Sequence, residues 1–410
     1  MKQGILYRLS RNSKVKLNHL LDRIIDLCNM FLMDVYRLPW PMSQSIARKV
    51  ARRMGDISEL LRAFPRLDAY KLTGPNWTVI FVGKMQDLLE IRHLFFSEEV
   101  VHQEIGRIAL WKLPTQTRKW LAEGVDLVVC ELSRIHPNRP KAPITFTVPT
   151  WVHQVLAISE PVETLIAGEK FANKRNTLNK ARRAGFNVKF SRSKADFDHF
   201  HYHMYRPYLE SRHGELALTA SYQDQRRRWF ERGGLLLVTD RDKPVAGALC
   251  HIAGETCFHI ETGVLEADPQ LFKQRIETII VWYAITWSRD QGAKVFDMGG
   301  TRAWRSNGSF ASKQRWGAQV IRRRKIYSTW AFFAQNLSPS LHDHINQLGF
   351  ISEIDGKFYR ILLDTEATLA PKNNFQNGCA TTANEGIDGL LVISPGRHQI
   401  IQCHHADESA

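Results

Sequence analysis

Between Leu235 and Val264 the chain reads LLLVTDRDKPVAGALCHIAGETCFHIETGV, three apolar, β-prone runs separated by the turn-forming clusters DRDKP and AGE. Connections this short join antiparallel neighbours, so the stretch predicts a three-stranded meander. LFKQRIETIIVWYAITWSRDQG follows with helical spacing and closes at Gly292, and AKVFDMGG is a further strand. A meander feeding a helix and then a strand predicts an α/β fold, with a mixed, largely antiparallel sheet flanked by helices.

The flanks extend this pattern. GEKFANKRNTLNKARRAG reads as a helix capped by Gly185, FNVKFSR as a strand, and ADFDHFHYHMYRPYLESRHG and SYQDQRRRWFERGG as helices. SKQRWGAQVIRRRKIYSTW predicts a turn of helix and a final strand. In the first part, residues 1 to about 70 read as helical, GPNWTVIFVG as turn and strand, and MQDLLEIRHLFFSEEVVHQEIGRI as helical again. VDLVVCELS is a buried strand. HPNRPKAPITFTVPTWVHQVLAI holds four prolines and reads as a connection with one edge strand. A chain of 410 residues implies two or three domains. The expected division is 1–165, 166–330 and 331–410, the last a helix and a polar tail in which GLLVISP is a late strand.

Charge narrows the partners. The formal net charge is +15, and residues 166–330 alone carry +13. Such a field favours nucleic acid, a nucleotide, a phosphate-bearing substrate or an acidic membrane. No uncharged run reaches the roughly 18–20 residues a spanning helix needs. The N-terminal residues read as an amphipathic helix that docks on a core or lies on a membrane surface, not as a signal peptide. None of the six cysteines forms a CxxC pair, which suits a reducing cytoplasm. His199, His201 and His203 suggest a metal, but at helical spacing only the outer two share a face and no third ligand is evident, so no metal is expected.

Several residues suit chemistry on an anionic ligand. Arg302 and Arg305 flank Trp304 just past Gly299 and Gly300; guanidinium forks suit phosphate, and an indole can stack on a planar group. Arg175 and Arg182, seven residues apart, share a helix face. His259 and Glu261, two apart on one strand, are expected on the same side as a proton acceptor. Asp297 is read as fixing the glycine turn, and Trp316 as a core anchor. Each has a plainer reading as a packed or solvated side chain.

Three blocks, in order, resemble the Fem-type branch of the GNAT-like acyltransferases. KRNTLNKARRAGFNV is similar to its R-x-x-x-x-x-A-x-x-x-G-x-x-V block, KPVAG to the turn of its meander, and FDMGG with Phe310, Lys313, Trp316 and Gly317 to its glycine and F-x-x-K block. The resemblance covers roughly residues 150–330. It implies two tandem GNAT-like domains, the first degenerate, and a transferase acting on an anionic or lipid-linked sugar or cell-envelope precursor, such as in polysaccharide biosynthesis. The donor would be acetyl-CoA or another acyl-CoA, without a metal. Lys313 would stabilise charge, Glu261 or His259 would take the proton, and Arg175, Arg182, Arg302, Trp304 and Phe310 would hold substrate. The protein would be cytoplasmic, or peripheral to the inner face of the membrane. One departure matters: the glycine-rich pyrophosphate loop is replaced by EADPQLFKQRIET, where Lys273 and Arg275 supply charge but no glycine cradle. Aminoacyl-tRNA as donor, or a glycan- or protein-binding domain that has lost catalysis, are the alternatives.

Overall fold

A computed structural model describes residues 67–96, 100–132, 140–160, 162–168, 171–214, 217, 219–322, 328–364 and 386–402. These divide into two compact units. One takes the residues up to Trp151 with 328–364 and 389–402; the other takes Val152–Arg322 with 386–388. The boundary expected near residue 165 falls inside the second. The amphipathic helix expected at the N-terminus lies outside the described residues.

In the first unit, β1 (Leu67–Thr73) and β2 (Thr78–Gly83) form a hairpin, followed by α1 (Met85–Phe95), β3 (Val101–Ile108), α2 (Leu113–Ala122), β4 (Leu127–Leu132) and β5 (Ile144–Pro149). The sheet order is β3-β1-β2-β4-β13-β5, where β13 is Thr329–Ala334. β2 and β4 are parallel, and β13 is antiparallel to both its neighbours. β4 is buried along its whole length, as its unbroken apolar run predicts. The helix read through residues 85–108 stops at Phe95. The rest is the edge strand β3, exposed on both faces and bent at Gly106 (φ 113°), so it shows no alternation to read.

The second unit starts with β6 (Val152–Ala157), α3 (Ala172–Ala184) and β7 (Phe186–Ser191). Gly185 caps α3 in the left-handed conformation, as expected. A composite helix α4 then runs Lys194–His199, Phe200–Tyr205 and Arg206–His213, its middle a π segment. α5 (Tyr222–Gln225) continues into a second π segment, Arg226–Phe230. The meander is β8 (Gly234–Asp240), β9 (Lys243–Ala253) and β10 (Thr256–Val264). Next come α6 (Pro269–Lys273), α7 (Ile276–Asp290), β11 (Val295–Thr301), α8 (Gly308–Gln314) and β12 (Gln319–Ile321). The order is β12-β6-β11-β10-β9-β8-β7. β6 is thus interior and antiparallel to β11, not a connection; the prolines that masked it all precede it.

Helices cover both faces of this sheet. α3 and α7 close one face, where Ile276, Ile279, Ile280 and Ile285 pack on Cys250, Cys257 and Phe296. Each such buried side chain contributes about 1.5–3 kcal/mol. Trp316 belongs to this core. The other face is packed by Phe197, Phe200, Met204 and Tyr205 of α4 on Leu235, Leu237 and Leu249.

The expected helix is α9 (Pro339–Leu348) and the expected strand at GLLVISP is present, but in place of a polar tail that strand belongs to a second sheet in the first unit. Its strands β14 (Ile351–Ile354), β15 (Lys357–Leu363), β16 (Gly389–Ser394) and β17 (Arg397–Gln402) pair in that order.

Candidate active site

The meander places a discontinuity at the centre of the second sheet. β10 and β11 are parallel partners only from Thr256↔Val295 to Phe258↔Asp297. Each then carries an extra residue against its outer neighbour. On β10 the register with β9 shifts between His259, opposite Cys250, and Glu261, opposite Leu249. On β11 the register with β6 shifts between Asp297 and Gly300. A bulge bends its strand and raises the local twist. Two bulges flanking one parallel pair therefore drive the strands apart just past Phe258 and Asp297.

The bulge also overturns the shared face expected of His259 and Glu261. Antiparallel partners share a face, so His259 lies with Cys250 on the α7 side and Glu261 with Leu249 on the α4 side. Counting by two along β10 missed the extra residue, Ile260. The His259 ring stacks on Phe296, centroids 5.5 Å apart, and its Nε2 lies 3.1 Å from Thr262 Oγ1.

Lys313 reaches the parting from α8. Asn307 caps that helix, its side chain accepting the Phe310 N–H at 3.0 Å. The Lys313 ammonium donates to the carbonyls of Gly299 at 3.1 Å and Gly300 at 3.2 Å. Gly299 has φ 82°, which glycine adopts without strain. Asp297 fixes this turn, as read, by accepting the Gly299 N–H at 2.8 Å.

The electrostatics follow from burial and from the Lys313 charge. Burial pushes the Glu261 carboxyl up to about 8, against the pull of Lys313. Burial, then Lys313, bring the His259 imidazole down to about 4, against Asp297. Burial would raise Asp297, but the His153 ring, the Gly299 N–H and Lys313 outweigh it and hold the carboxylate below its usual range. Near neutrality Glu261 is thus mostly protonated, His259 neutral and Asp297 ionised. Tyr205 on α4 is pushed up by burial and then by Glu261.

The other expected contacts are placed differently. The Arg175 guanidinium donates to the carbonyls of Ile166, Ala167 and Gly168, tying down the approach to α3. Arg182 is exposed on α3. Arg302 is buried, 5% exposed, with its guanidinium 5.9 Å from the Trp304 ring. Trp304 and Phe310 are buried too, so this loop is packed rather than solvated. His199 and His203 lie side by side, while His201 is buried against Gln225 at 2.6 Å. Among the described residues no group of three or more His, Cys, Asp or Glu could hold a metal ion.

Sequence reasoning missed His153 on β6. Its Nδ1 lies 3.1 Å from Asp297 Oδ2, and its Nε2 is buried without a hydrogen-bond partner. Burial alternates along V-H-Q-V-L-A but the residue types do not, so no period marked this stretch as a strand.

Residues 169–309 match the family model described as an acetyltransferase (GNAT) domain. No curated protein matches the chain. Among solved structures it is similar to L-PGS from Bacillus licheniformis, at 12% identity and TM-score 0.33, over 69% of this chain and 88% of that one. FemX is similar at 14% identity and TM-score 0.35, over 68% and 86%. The C-terminal domain of a putative lysylphosphatidylglycerol synthetase from Agrobacterium fabrum is similar at 12% identity and TM-score 0.34, over 77% and 93%.

Proposed function

We propose that residues 169–309, which match the GNAT acetyltransferase model, act as an acyltransferase domain and move an acyl group from acyl-CoA to an amine or hydroxyl of an anionic, sugar-bearing or cell-envelope acceptor. The parting of β10 and β11 carries this reading. Separated parallel strands turn backbone N–H and C=O groups toward a gap, and an amide-bearing arm such as that of acyl-CoA fits there as an added strand. Lys313 puts a positive charge at the same place. A fixed charge aimed at a developing oxyanion is the largest single aid to acyl transfer.

Downstream of β10 the missing glycines are partly compensated. Arg275 adopts φ 61°, ψ 38°, the left-handed conformation a glycine would favour, just before α7 begins. The first turn of a helix attracts anions, and Lys273 and Arg275 add charge beside it. Glu277, in that same turn, receives Arg212 and the Tyr208 hydroxyl (2.7 Å) and so places a carboxylate where a pyrophosphate would sit. That carboxylate, with the +13 of residues 166–330, favours a second donor, aminoacyl-tRNA.

Calorimetric titration with acetyl-CoA at physiological salt tests the reading. Saturable binding, weakened in Lys313→Ala, is the expected outcome. No heat at millimolar ligand would move the donor to aminoacyl-tRNA, whose binding should fall steeply with salt. Among the described residues no helix is long and apolar enough to cross a membrane. A lipid-linked acceptor would be met at an acidic membrane surface, which the basic field attracts.

A further inference from the structure

We propose that His153, held by Asp297, takes the proton that the acceptor loses during acyl transfer. The proposal rests on the acyl-transfer reading and adds the group that reading lacks. As the acceptor nitrogen or oxygen bonds to the acyl carbon, the bond to the leaving group breaks with its electron pair on that group. The acceptor's proton passes to His153 Nε2 and then to the leaving group, so a thioester gives the acylated acceptor and free thiol.

The two acceptors suggested by sequence are poorly set for this. Glu261 mostly holds its proton near neutrality. His259 lies on the α7 side of the sheet, with its ring on Phe296 and Nε2 beside Thr262 Oγ1. His153 differs on each count. A carboxylate can only accept, so Asp297 fixes the hydrogen on Nδ1 and leaves the lone pair on Nε2. That nitrogen is shut off from bulk water and bonds to no protein group, which is unfavourable unless a ligand completes it.

Position agrees. Asp297 is opposite Phe258 and Val155, and His153 is two residues from Val155, so both lie on the α4 side of the sheet with Glu261. Hydrogen bonds then run without a break from the ring to Asp297, on to the Gly299 N–H, and from the Gly299 carbonyl to Lys313. One end of this line can take a proton. The other end carries the charge that stabilises the oxyanion. A base oriented by a carboxylate opposite a fixed oxyanion stabiliser is the arrangement acyl transfer needs.

The test uses the full chain. In nitrogen-15 spectra of histidine-labelled protein, the neutral form of the His153 ring is expected to carry its hydrogen on Nδ1 and not on Nε2. A neutral ring with its hydrogen on Nε2 overturns the assignment whatever the transfer assays show. With acetyl-CoA as donor and glucosamine phosphate as acceptor, His153→Ala is expected to lower kcat for coenzyme A release about a hundredfold or more. KM for acetyl-CoA should not change, and added imidazole should restore part of the rate. An unchanged kcat overturns the proposal. His153→Gln keeps a hydrogen-bonding side chain without a basic nitrogen; it should melt with the wild type and be as slow as the alanine variant, and a wild-type rate there also overturns it. If the wild-type protein neither releases coenzyme A nor binds acetyl-CoA, the acyl-CoA reading fails separately, and the tautomer decides the His153–Asp297 pair.

Discussion

The two units contain the same four-strand arrangement and finish it in opposite ways. β1-β2-β4-β13 and β9-β10-β11-β6 each run antiparallel, parallel, antiparallel. In the first unit the parallel pair continues without a shift from Val79↔Leu127 to Val82↔Cys130. Lys84 then seals its end, with its backbone N–H 3.1 Å and its Nζ 2.6 Å from the Glu131 carboxylate. A Cβ on Gly83 would come within 2.5 Å of the Phe81 ring and 2.8 Å of Glu131, so this end is filled. In the second unit two bulges part the strands, and Lys313 donates to the carbonyls of Gly299 and Gly300. Topology alone therefore does not make a cleft; one extra residue on each of two strands does. Among the described residues, we propose that the second unit is the one that works.

The sharpest way to break this contrast is to exchange what the two lysines do. Lys313→Ala should lower kcat for acyl transfer by about 100- to 1,000-fold, the usual cost of removing one oxyanion stabiliser. Equal turnover would remove Lys313 from the chemistry. Lys84→Ala should leave turnover intact but destabilise the fold by about 1–3 kcal/mol, because the buried Glu131 carboxylate loses its paired cation. Urea unfolding reads this, and a variant that loses rate but not stability would put a site in the first unit. Gly299→Ala forces a side chain into φ 82° and should cost about 1–2 kcal/mol, with weaker acetyl-CoA binding by calorimetry.

The smallest effect is a difference in pH response. Folding favours the neutral Glu261 carboxyl, so its contribution is complete below the ordinary carboxylate range and is lost as pH rises through about 8. His259 works in the other direction: its contribution is complete above the ordinary imidazole range and is lost as pH falls towards about 4. Glu131 is held low by Lys84 despite burial, so the first unit also weakens in acid. Glu261→Gln should flatten the alkaline fall in melting temperature and leave the acid fall unchanged. An alkaline fall that persists would mean another group controls it.

Much of the second unit was legible because its signals are local. The meander turns, Gly185 after α3 and the apolar face of α7 each act within a few residues. Asp297 and Trp316 also behave as read, since a strand-end carboxylate before paired glycines and a tryptophan before a strand have few options. What stayed hidden depends on partners far along the chain. β6 lacked a visible sheet because β11 and β12 lie more than a hundred residues on. The bulge at Ile260 exists only relative to β9, so the face of Glu261 could not be counted from β10 alone. His153 was lost with β6. Arg302 and Trp304 looked like loop residues because their burial comes from packing, not from a period.

The position of β13 has a consequence for how the protein is made. It lies between β4 and β5, yet it follows them by more than 170 residues. A nascent chain that has just emerged through β5 holds two strand edges meant for a partner not yet synthesised. Exposed edges of that kind invite pairing with the wrong chain. The second unit up to Arg322 must be translated before the first sheet can close, so completion of the first unit waits for the second rather than preceding it. A fragment ending at Trp151 should accordingly be recovered as aggregate, and supplying residues 328–364 in trans should raise its soluble yield.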